Sequence, residues 1–249
     1  TRKNVANLVS EINNMTLISE FWVKVAVYWG VCTWGHDKLN KFAILRFCGD
    51  SMTGKTDLAK IIRDISRVDK NRENCYKDIK GWRPPAIRDE MHKAAENKSS
   101  CFFDEADEFP PAFWEAIYDK SNAEYRDMGA KTKTENGEKI SERVFNLWTP
   151  VCMTARGVLK DVSHQSRTIE IRTVNNPNGA SQGYTEGQFV NKAPICRILA
   201  SNIKWEKVKS NHGSRIQQNW EPIKVVASAL GDELFFTQLE DYFLSQKEE

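Results

Sequence analysis

The chain has 249 residues, of which 40% are hydrophobic and 28% are charged, and its formal net charge is +2 at pH 7. This composition is that of an ordinary globular protein with a substantial core, which excludes an intrinsically disordered chain. The near-neutral charge excludes a uniformly basic nucleic-acid-binding protein, so any contact with nucleic acid must come from a local patch.

The sequence also disfavours a membrane-spanning protein and a zinc-binding protein. The longest uncharged apolar stretch, Val25 to Gly35, is too short to span a bilayer and lacks a signal-peptide layout. We therefore expect a buried helix there, and a cytoplasmic protein without a membrane partner. None of the six cysteines forms a C-x-x-C pair and the four histidines are scattered, so we expect reduced core cysteines and no zinc site.

Strands and helices alternate along most of the chain. The predicted strands are 42–48, 75–79, 101–104, 149–155 and 167–174. The predicted helices are 5–12, 19–34, 55–68, 84–97, 111–125 and most of the segment from residue 186 onward. This alternation indicates a mostly parallel sheet with helices on its faces, in which ligands bind at the carboxyl ends of the strands.

A glycine-rich loop follows the first predicted strand. It reads G-D-S-M-T-G-K-T, the Gly-x-x-x-x-Gly-Lys-Thr pattern of a Walker A loop. Glycines let successive backbone N–H groups turn toward phosphate oxygens, and the next helix adds a favourable dipole. Lys55 would neutralise phosphate charge, and Thr56 would ligate magnesium. The predicted nucleotide-binding residues are Gly49, Asp50, Ser51, Met52, Thr53, Gly54, Lys55, Thr56 and Asp57.

The strand at 101–104 ends in two acidic residues, Asp104 and Glu105. An aspartate at this position can hold the magnesium shell, and the adjacent glutamate can orient and deprotonate the attacking water. A solvated acidic loop is the alternative for this pair. It is also our interpretation of Asp107 and Glu108.

The strand at 149–155 supplies a further candidate. If it lies between the two strands described above, its polar residue Thr154 would face the γ-phosphate or the attacking water. Arg156 competes for that role, and the alternative is a threonine that merely ends a strand.

Together these segments resemble the AAA+ ATPases from about Phe42 to Trp220. Four segments, which begin at Cys32, Cys101, Val151 and Gly213, are similar more narrowly to poorly characterised ATPases of archaeal and bacterial plasmids, viruses and integrated elements. Those proteins are often tied to primases or replication, and they resemble superfamily-three and minichromosome-maintenance-type helicases.

The resemblance implies a three-layer α/β P-loop NTPase fold of the AAA+ type, with a mostly parallel sheet, N-terminal helices and a small C-terminal helical lid. The implied division is an N-terminal helical segment at 1–40, a nucleotide-binding core at 41–175 and a lid lobe at 186–249. The implied cofactors are ATP and Mg²⁺. Asp50 departs from the family, in which many relatives have proline or alanine, and adds negative charge near the phosphates.

Two arginines also take roles from the resemblance. Arg167, in "SHQSRTIEI", would be an arginine finger that reaches the nucleotide of a neighbouring subunit, where a cation stabilises charge on the transferring phosphoryl group. Arg215 would be a sensor arginine in the lid. The alternatives are a surface arginine before a strand and an ordinary arginine at a helix start.

A hairpin is predicted around Asn136–Gly137. In helicases of the resembling type, a hairpin at this place grips DNA in the ring channel, which implies phosphate contacts for Lys131, Lys133 and Lys139. The segment from Arg126 to Arg143 holds five basic and four acidic residues, so a solvated hairpin is the alternative.

The resulting hypothesis is an ATP-hydrolysing DNA motor, a helicase or replication-initiation ATPase of a mobile element or virus. Its expected partners are further copies of itself, most simply in a hexameric ring, together with DNA and other replication proteins. The alternatives are a nucleotide-switched loader, and a protein-remodelling or packaging ATPase without helicase activity.

Overall fold

The computed structural model describes residues 2–39, 41–69, 76–108, 114, 125–128, 132–134, 137–139, 142–174, 183–205 and 215–245. The helices in this part of the chain are α1 (Arg2–Asn13), α2 (Glu20–Cys32), α3 (Lys55–Ile65), α4 (Pro84–Glu96), α5 (Val162–Gln165), α6 (Ala193–Ser201), α7 (Arg215–Leu230) and α8 (Glu233–Ser245). The strands are β1 (Ile44–Cys48), β2 (Tyr76–Asp78), β3 (Cys101–Asp104), β4 (Tyr125–Met128), β5 (Thr132–Thr134), β6 (Gly137–Lys139), β7 (Glu142–Phe145), β8 (Val151–Ala155) and β9 (Thr168–Arg172).

Five of these strands form one parallel sheet in the order β2–β3–β8–β1–β9. Leu45 of β1 lies opposite Cys152 of β8 on one side and Ile169 of β9 on the other. Every residue of β1 and β8 is buried, as expected for inner strands of a parallel sheet that is covered on both faces. The fold confirms the predicted α/β class of a P-loop NTPase, and it places β8 between β1 and β3.

Alternate side chains of the strands enter two separate apolar clusters. Phe102 of β3 faces the cluster that contains α1, α2, α3 and the C-terminal helices. The next residue, Phe103, faces the opposite cluster, where it packs with Ile87 and Met91 of α4. The sheet is therefore the middle of three layers, and each face is covered by helices because successive strand residues point to opposite sides.

The helix predicted to be buried, α2, has ten buried residues out of thirteen. It contacts α1, α3, α6 and α7 on different sides, which explains why its sequence is apolar all round rather than along one stripe. The prediction extended this helix to residue 34. The α-helix ends at Cys32 and continues as a tighter 3₁₀ turn, Thr33–Lys38, at whose start the Thr33 hydroxyl donates to the carbonyl of Gly30 at 2.6 Å.

The N-terminal and C-terminal helices pack against each other. The ring of Phe21 in α2 stacks on Trp220 of α7 at 6.5 Å and on Phe235 of α8 at 5.4 Å between centroids. The Tyr28 hydroxyl donates to Asp232 at 2.6 Å. Both terminal segments thus share the apolar cluster on the α3 face of the sheet. The division into segments at 1–40, 41–175 and 186–249 stays a prediction.

The region of the predicted hairpin contains two antiparallel strand pairs. β4 pairs with β7, and β5 pairs with β6 with Thr134 opposite Gly137. Gly137, the second residue of the pair on which the prediction centred, is the first residue of β6, and Asn136 lies outside the described residues. Lys133 and Lys139 lie on these strands, whereas Lys131 lies outside the described residues, as does the predicted helix at 111–125 apart from Trp114.

No helix among the described residues is long and apolar enough to cross a membrane. The cysteines of the described part, Cys32, Cys48, Cys101, Cys152 and Cys196, are buried. Cys75 lies outside the described residues.

Candidate nucleotide-binding site

The loop between β1 and α3 needs its two glycines for different reasons. Gly49 has φ of 151°, and a Cβ at this position would lie 2.4 Å from the carbonyl oxygen of Thr173 and 2.6 Å from its Oγ1. Gly54 has φ of 79° and open space around it, so its need is conformational rather than steric. Met52, with φ of 64°, is the other left-handed residue of the loop and is 96% exposed.

The loop is closed by hydrogen bonds to one carbonyl. The backbone oxygen of Asp50 accepts from Thr53 Oγ1 at 2.8 Å and from Lys55 Nζ at 2.5 Å. The ammonium group of Lys55 therefore lies over the loop, where a phosphate would meet it. The side chains of Asp50 and Ser51 are exposed. Asp50 contributes its backbone to the loop, so its carboxylate is not what holds the loop closed.

The carboxylate of Asp104 accepts hydrogen bonds from three parts of the chain. Its Oδ1 accepts from Thr56 Oγ1 of α3 at 3.4 Å, from the backbone N–H of Glu105 at 3.2 Å and from the Thr154 hydroxyl of β8. Because β3, β8 and β1 are parallel neighbours, their carboxyl ends meet at the edge of the sheet where the Walker loop begins.

Thr56 and Asp104 together fit a magnesium ion. Magnesium prefers oxygen ligands, and beside phosphates it takes few of them from the protein. Thr56, Thr154 and the N–H of Glu105 all donate to Oδ1 of Asp104, which leaves Oδ2 as the carboxylate oxygen for a metal ion. No cluster of three or more His, Cys, Asp or Glu within the described ranges could hold a metal ion alone. The pair therefore suits a shell shared between protein, phosphate and water.

Glu105 has a left-handed backbone, with φ of 51°. Its N–H donates to both Asp104 Oδ1 and Thr154 Oγ1, which explains how a non-glycine residue is held in this conformation. Its half-exposed carboxylate lies 3.6 Å from Lys80 Nζ and 4.0 Å from Arg156 Nη2. Sequence reasoning missed Lys80, which lies in the loop after β2.

Thr154 and Arg156 lie in different environments, although the sequence analysis offered both for the position that faces the γ-phosphate or the attacking water. Thr154 is buried, and its hydroxyl contacts Asp104 and the N–H of Glu105. Arg156 is largely exposed, and its N–H donates to the carboxylate of Asp107. Asp107, predicted as a solvated acidic residue, thus fixes the chain after β8. The side chain of Glu108 is not described.

Tyr76, on β2, is a neighbour of this cluster that sequence reasoning missed. Burial raises the pKa of the Tyr76 hydroxyl above its usual value, and the nearby charge of Asp104 raises it further. The ring packs below α3, with Lys60 Nζ 5.6 Å from its centroid. A lone tyrosine in a three-residue strand gives no sequence signal of this proximity, because it depends on the pairing of β2 with β3.

A partly open pocket lies beside the Walker loop. Its walls come from the segment before α2, from the loop and α3, and from the chain after β9; they include Met15, Leu17, Ile18, Thr53, Gly54, Asp57, Leu58, Ile61, Val174 and Tyr184. The hydroxyl of Tyr184 donates to Asp64 Oδ2 of α3 at 2.8 Å, which fixes that wall. The mixed apolar and polar lining and the position next to the loop suit a nucleobase beside the phosphates.

Arg167 lies away from this site. It precedes β9, whose first residue, Thr168, pairs with Ile44 at the start of β1, whereas the Walker loop follows the other end of β1. Five strand residues at about 3.3 Å each separate its backbone from the loop by roughly 16 Å. Arg167 Nη1 donates to Ser163 Oγ at 3.3 Å. A role at a neighbouring subunit stays a prediction, and so does that of Arg215, which begins α7 and whose side chain is not described.

No protein-family model matches the sequence, and no curated protein matches it. Among solved structures, the chain is similar to one described as "SCCmec type IV Cch - active helicase", with 17% identity and a TM-score of 0.48. The match covers 90% of this chain and 46% of that one, so this chain spans about half of that protein's length. The chain's own features, a parallel sheet with the glycine-rich loop between β1 and α3, are consistent with a P-loop NTPase-like fold.

Proposed function

We propose that this chain is the ATP-hydrolysing module of an AAA+ motor that acts on DNA, as a helicase or replication-initiation ATPase of a mobile element or virus. The observation that carries the proposal is the convergence of the Walker loop with Asp104, Glu105 and Thr154 at one edge of the sheet. Each of these residues has the chemistry that phosphoryl transfer to water requires.

Each residue of the proposed ATP site has a separate role in hydrolysis. The loop N–H groups and Lys55 bind the phosphates, and the pocket next to the loop receives the base. Thr56 and Asp104 would hold magnesium, which supplies positive charge to the β- and γ-phosphate oxygens when bound. Glu105 orients the attacking water and accepts its proton as the bond between γ-phosphorus and the bridging oxygen breaks. Thr154 keeps Asp104 and the backbone of Glu105 in place.

The proposed oligomer rests on Arg167. Since its backbone lies at the far end of β9 from its own Walker loop, the arginine-finger role needs the loop of another subunit. The segment before it also exposes apolar side chains, with Val162 76% and Val158 46% exposed. An exposed apolar surface beside a cation is what a subunit interface at an ATP site would use.

The proposed DNA substrate rests on the family resemblance and on the hairpin of β5 and β6, which carries Lys133 and Lys139. Lysines near the tip of a hairpin can contact phosphates without reading sequence. A loader or remodelling ATPase would share the hydrolytic site but would not show the same response to DNA.

The proposal is tested by measuring ATP hydrolysis with and without single-stranded and double-stranded DNA. We expect turnover that DNA stimulates, and a loss of about 100-fold or more in Lys55→Ala and in Glu105→Gln. Glu105→Gln should still bind ATP, because the phosphate contacts remain. Hydrolysis that ignores DNA, with ATP-dependent assembly but no strand separation, would support the loader instead. Absence of ATP binding by the wild type would end the proposal.

A further inference from the structure

The hydroxyl group of Tyr76 is buried beside the side chains of Thr56 and Asp104, yet it makes no hydrogen bond of normal geometry with a described residue. Buried polar groups without a partner are rare in proteins, because burying a hydroxyl without a hydrogen bond costs free energy. A phenylalanine would fill the same apolar space without that cost. A partner beyond the described residues, such as a water molecule or a ligand, would satisfy the hydroxyl.

The sheet sets the direction of the Tyr76 side chain. Tyr76 lies opposite Phe102, and Asp78 lies opposite Asp104, in the parallel pairing of β2 with β3. Side chains two residues apart along a strand share a face, so Tyr76 is on the same face as Phe102 and Asp104. That face also carries α3, since Phe102 and Tyr76 both belong to the apolar cluster of the α3 layer.

The helix sets how far the ring reaches. Lys60 Nζ and Arg63 Cζ of α3 lie 5.6 Å and 5.9 Å from the centroid of the Tyr76 ring. Thr56, Lys60 and Arg63 follow the spacing i, i+4, i+7, which puts them on one side of α3 with Thr56 nearest the Walker loop. The ring lies under this side of the helix, and its hydroxyl belongs to the neighbourhood of Thr56 and Asp104.

We propose that Tyr76 is a positioning residue of the magnesium site, where its hydroxyl oxygen would accept a hydrogen bond from a water molecule of the hydrated ion held by Thr56 and Asp104. The inference rests on the proposed ATP site. Residues that hydrogen-bond to the shell of a metal orient its ligands, and their loss lowers metal affinity while the ligands themselves remain. Tyr76 adds such a hydrogen-bond partner from β2, the strand next to that of Asp104.

The test is the magnesium dependence of the binding of a fluorescent ATP analogue. We expect Tyr76→Phe to raise the half-saturating Mg²⁺ concentration about tenfold, with no change in analogue affinity in EDTA. Tyr28→Phe is the matched control: it removes a hydroxyl that donates to Asp232, remote from the Walker loop, and should leave the Mg²⁺ dependence unchanged. A second probe, Mn²⁺ resonance in the presence of ATP, should show the same weakening.

Stability separates positioning from a structural role. Without nucleotide and metal, Tyr76→Phe should unfold at the same or a higher denaturant concentration than the wild type, because a buried unpartnered group is removed. Destabilisation of that variant, an unchanged Mg²⁺ dependence, or a lower affinity in EDTA would each overturn the inference. A wild type that binds no ATP at all would instead refute the proposed function on which it rests.

Discussion

Gly49 has much less room than Gly54, the other glycine of the Walker loop. A Cβ here would meet both the carbonyl and the hydroxyl of Thr173, which is itself held by bonds to Cys48 and Thr53. The first glycine of the motif therefore does more than permit a turn. It lets the loop approach the end of β9 closely, and the two chain segments that flank the phosphate site are fixed against each other at this point.

We accordingly expect Gly49→Ala to weaken ATP binding at least about tenfold, because the loop must shift to accept a methyl group. Binding is measured by titration with a fluorescent ATP analogue. Gly183→Ala is the matched control, since a Cβ at Gly183 meets nothing within 4 Å. Equal affinities for Gly49→Ala and wild type would show that the contact with Thr173 does not constrain the loop.

The glycine spacing and the acidic strand end were predictable because each depends on residues that are close in sequence. Gly49–Thr56 and Asp104–Glu105 need only a strand before them to be recognised. Lys80, Tyr76 and the pocket wall at Tyr184 reach the site through strand pairing and chain returns over long separations. Local sequence patterns do not indicate which distant segments pair, so periodicity and spacing could not have identified these residues.

At the level of elements, Asp232 links α2 to the turn between α7 and α8. It accepts from the Tyr28 hydroxyl at 2.6 Å, lies 3.0 Å from Lys24 Nζ and accepts from the N–H of Phe235 in the first turn of α8. Burial opposes its ionisation, but the hydrogen bonds from Tyr28 and Lys24 outweigh it, and the pKa of Asp232 falls below its usual value. One carboxylate thus caps α8 and joins it to α2 within the same layer.

We expect Asp232→Ala to lower the free energy of unfolding by about 2 kcal/mol, the sum of a lost helix cap and a lost buried hydrogen bond. Urea denaturation measures the change. Because the pKa is lower in the folded state, this stabilisation is present at neutral pH and is lost as the pH falls below about 4. Asp241→Ala, an exposed position of α8, should change stability little at any pH.

Element boundaries show a second limit of sequence reasoning. The apolar run of α2 predicted burial correctly, but the end of the helix is set by a tertiary bond: the Thr33 hydroxyl also accepts the N–H of Arg67 at 2.8 Å. The hairpin boundary is a second example. An Asn–Gly pair predicts a turn at these two residues, whereas Gly137 belongs to β6 and pairs with Thr134 of β5.

At the scale of the whole molecule, Arg167 is separated from its own Walker loop. The arginine-finger role therefore predicts that ATP hydrolysis needs two subunits, one of which supplies the loop and the other the arginine. We expect Lys55→Ala and Arg167→Ala each to be nearly inactive, and a mixture of the two to recover activity. In a random equal mixture about a quarter of the interfaces pair the two intact halves. ATP turnover of the mixture, compared with each variant alone, is the measurement.

Arg197→Ala serves as the control for this mixing experiment, because Arg197 is an exposed arginine on α6. It should be active alone and should not restore Lys55→Ala beyond the activity that it contributes itself. Full turnover by Arg167→Ala at high protein concentration would contradict the arginine-finger role.

The packing of α2 against α7 and α8 has a consequence for synthesis. Phe21 contacts Trp220 and Phe235, partners that lie some two hundred positions later in the sequence. At about 5–20 residues per second, the ribosome makes those partners roughly 10–40 s after α2 leaves it. During that interval the apolar surface of α2 is exposed, because α7 and α8 have not yet been made. The nascent protein is therefore expected to be a chaperone client until α7 and α8 arrive.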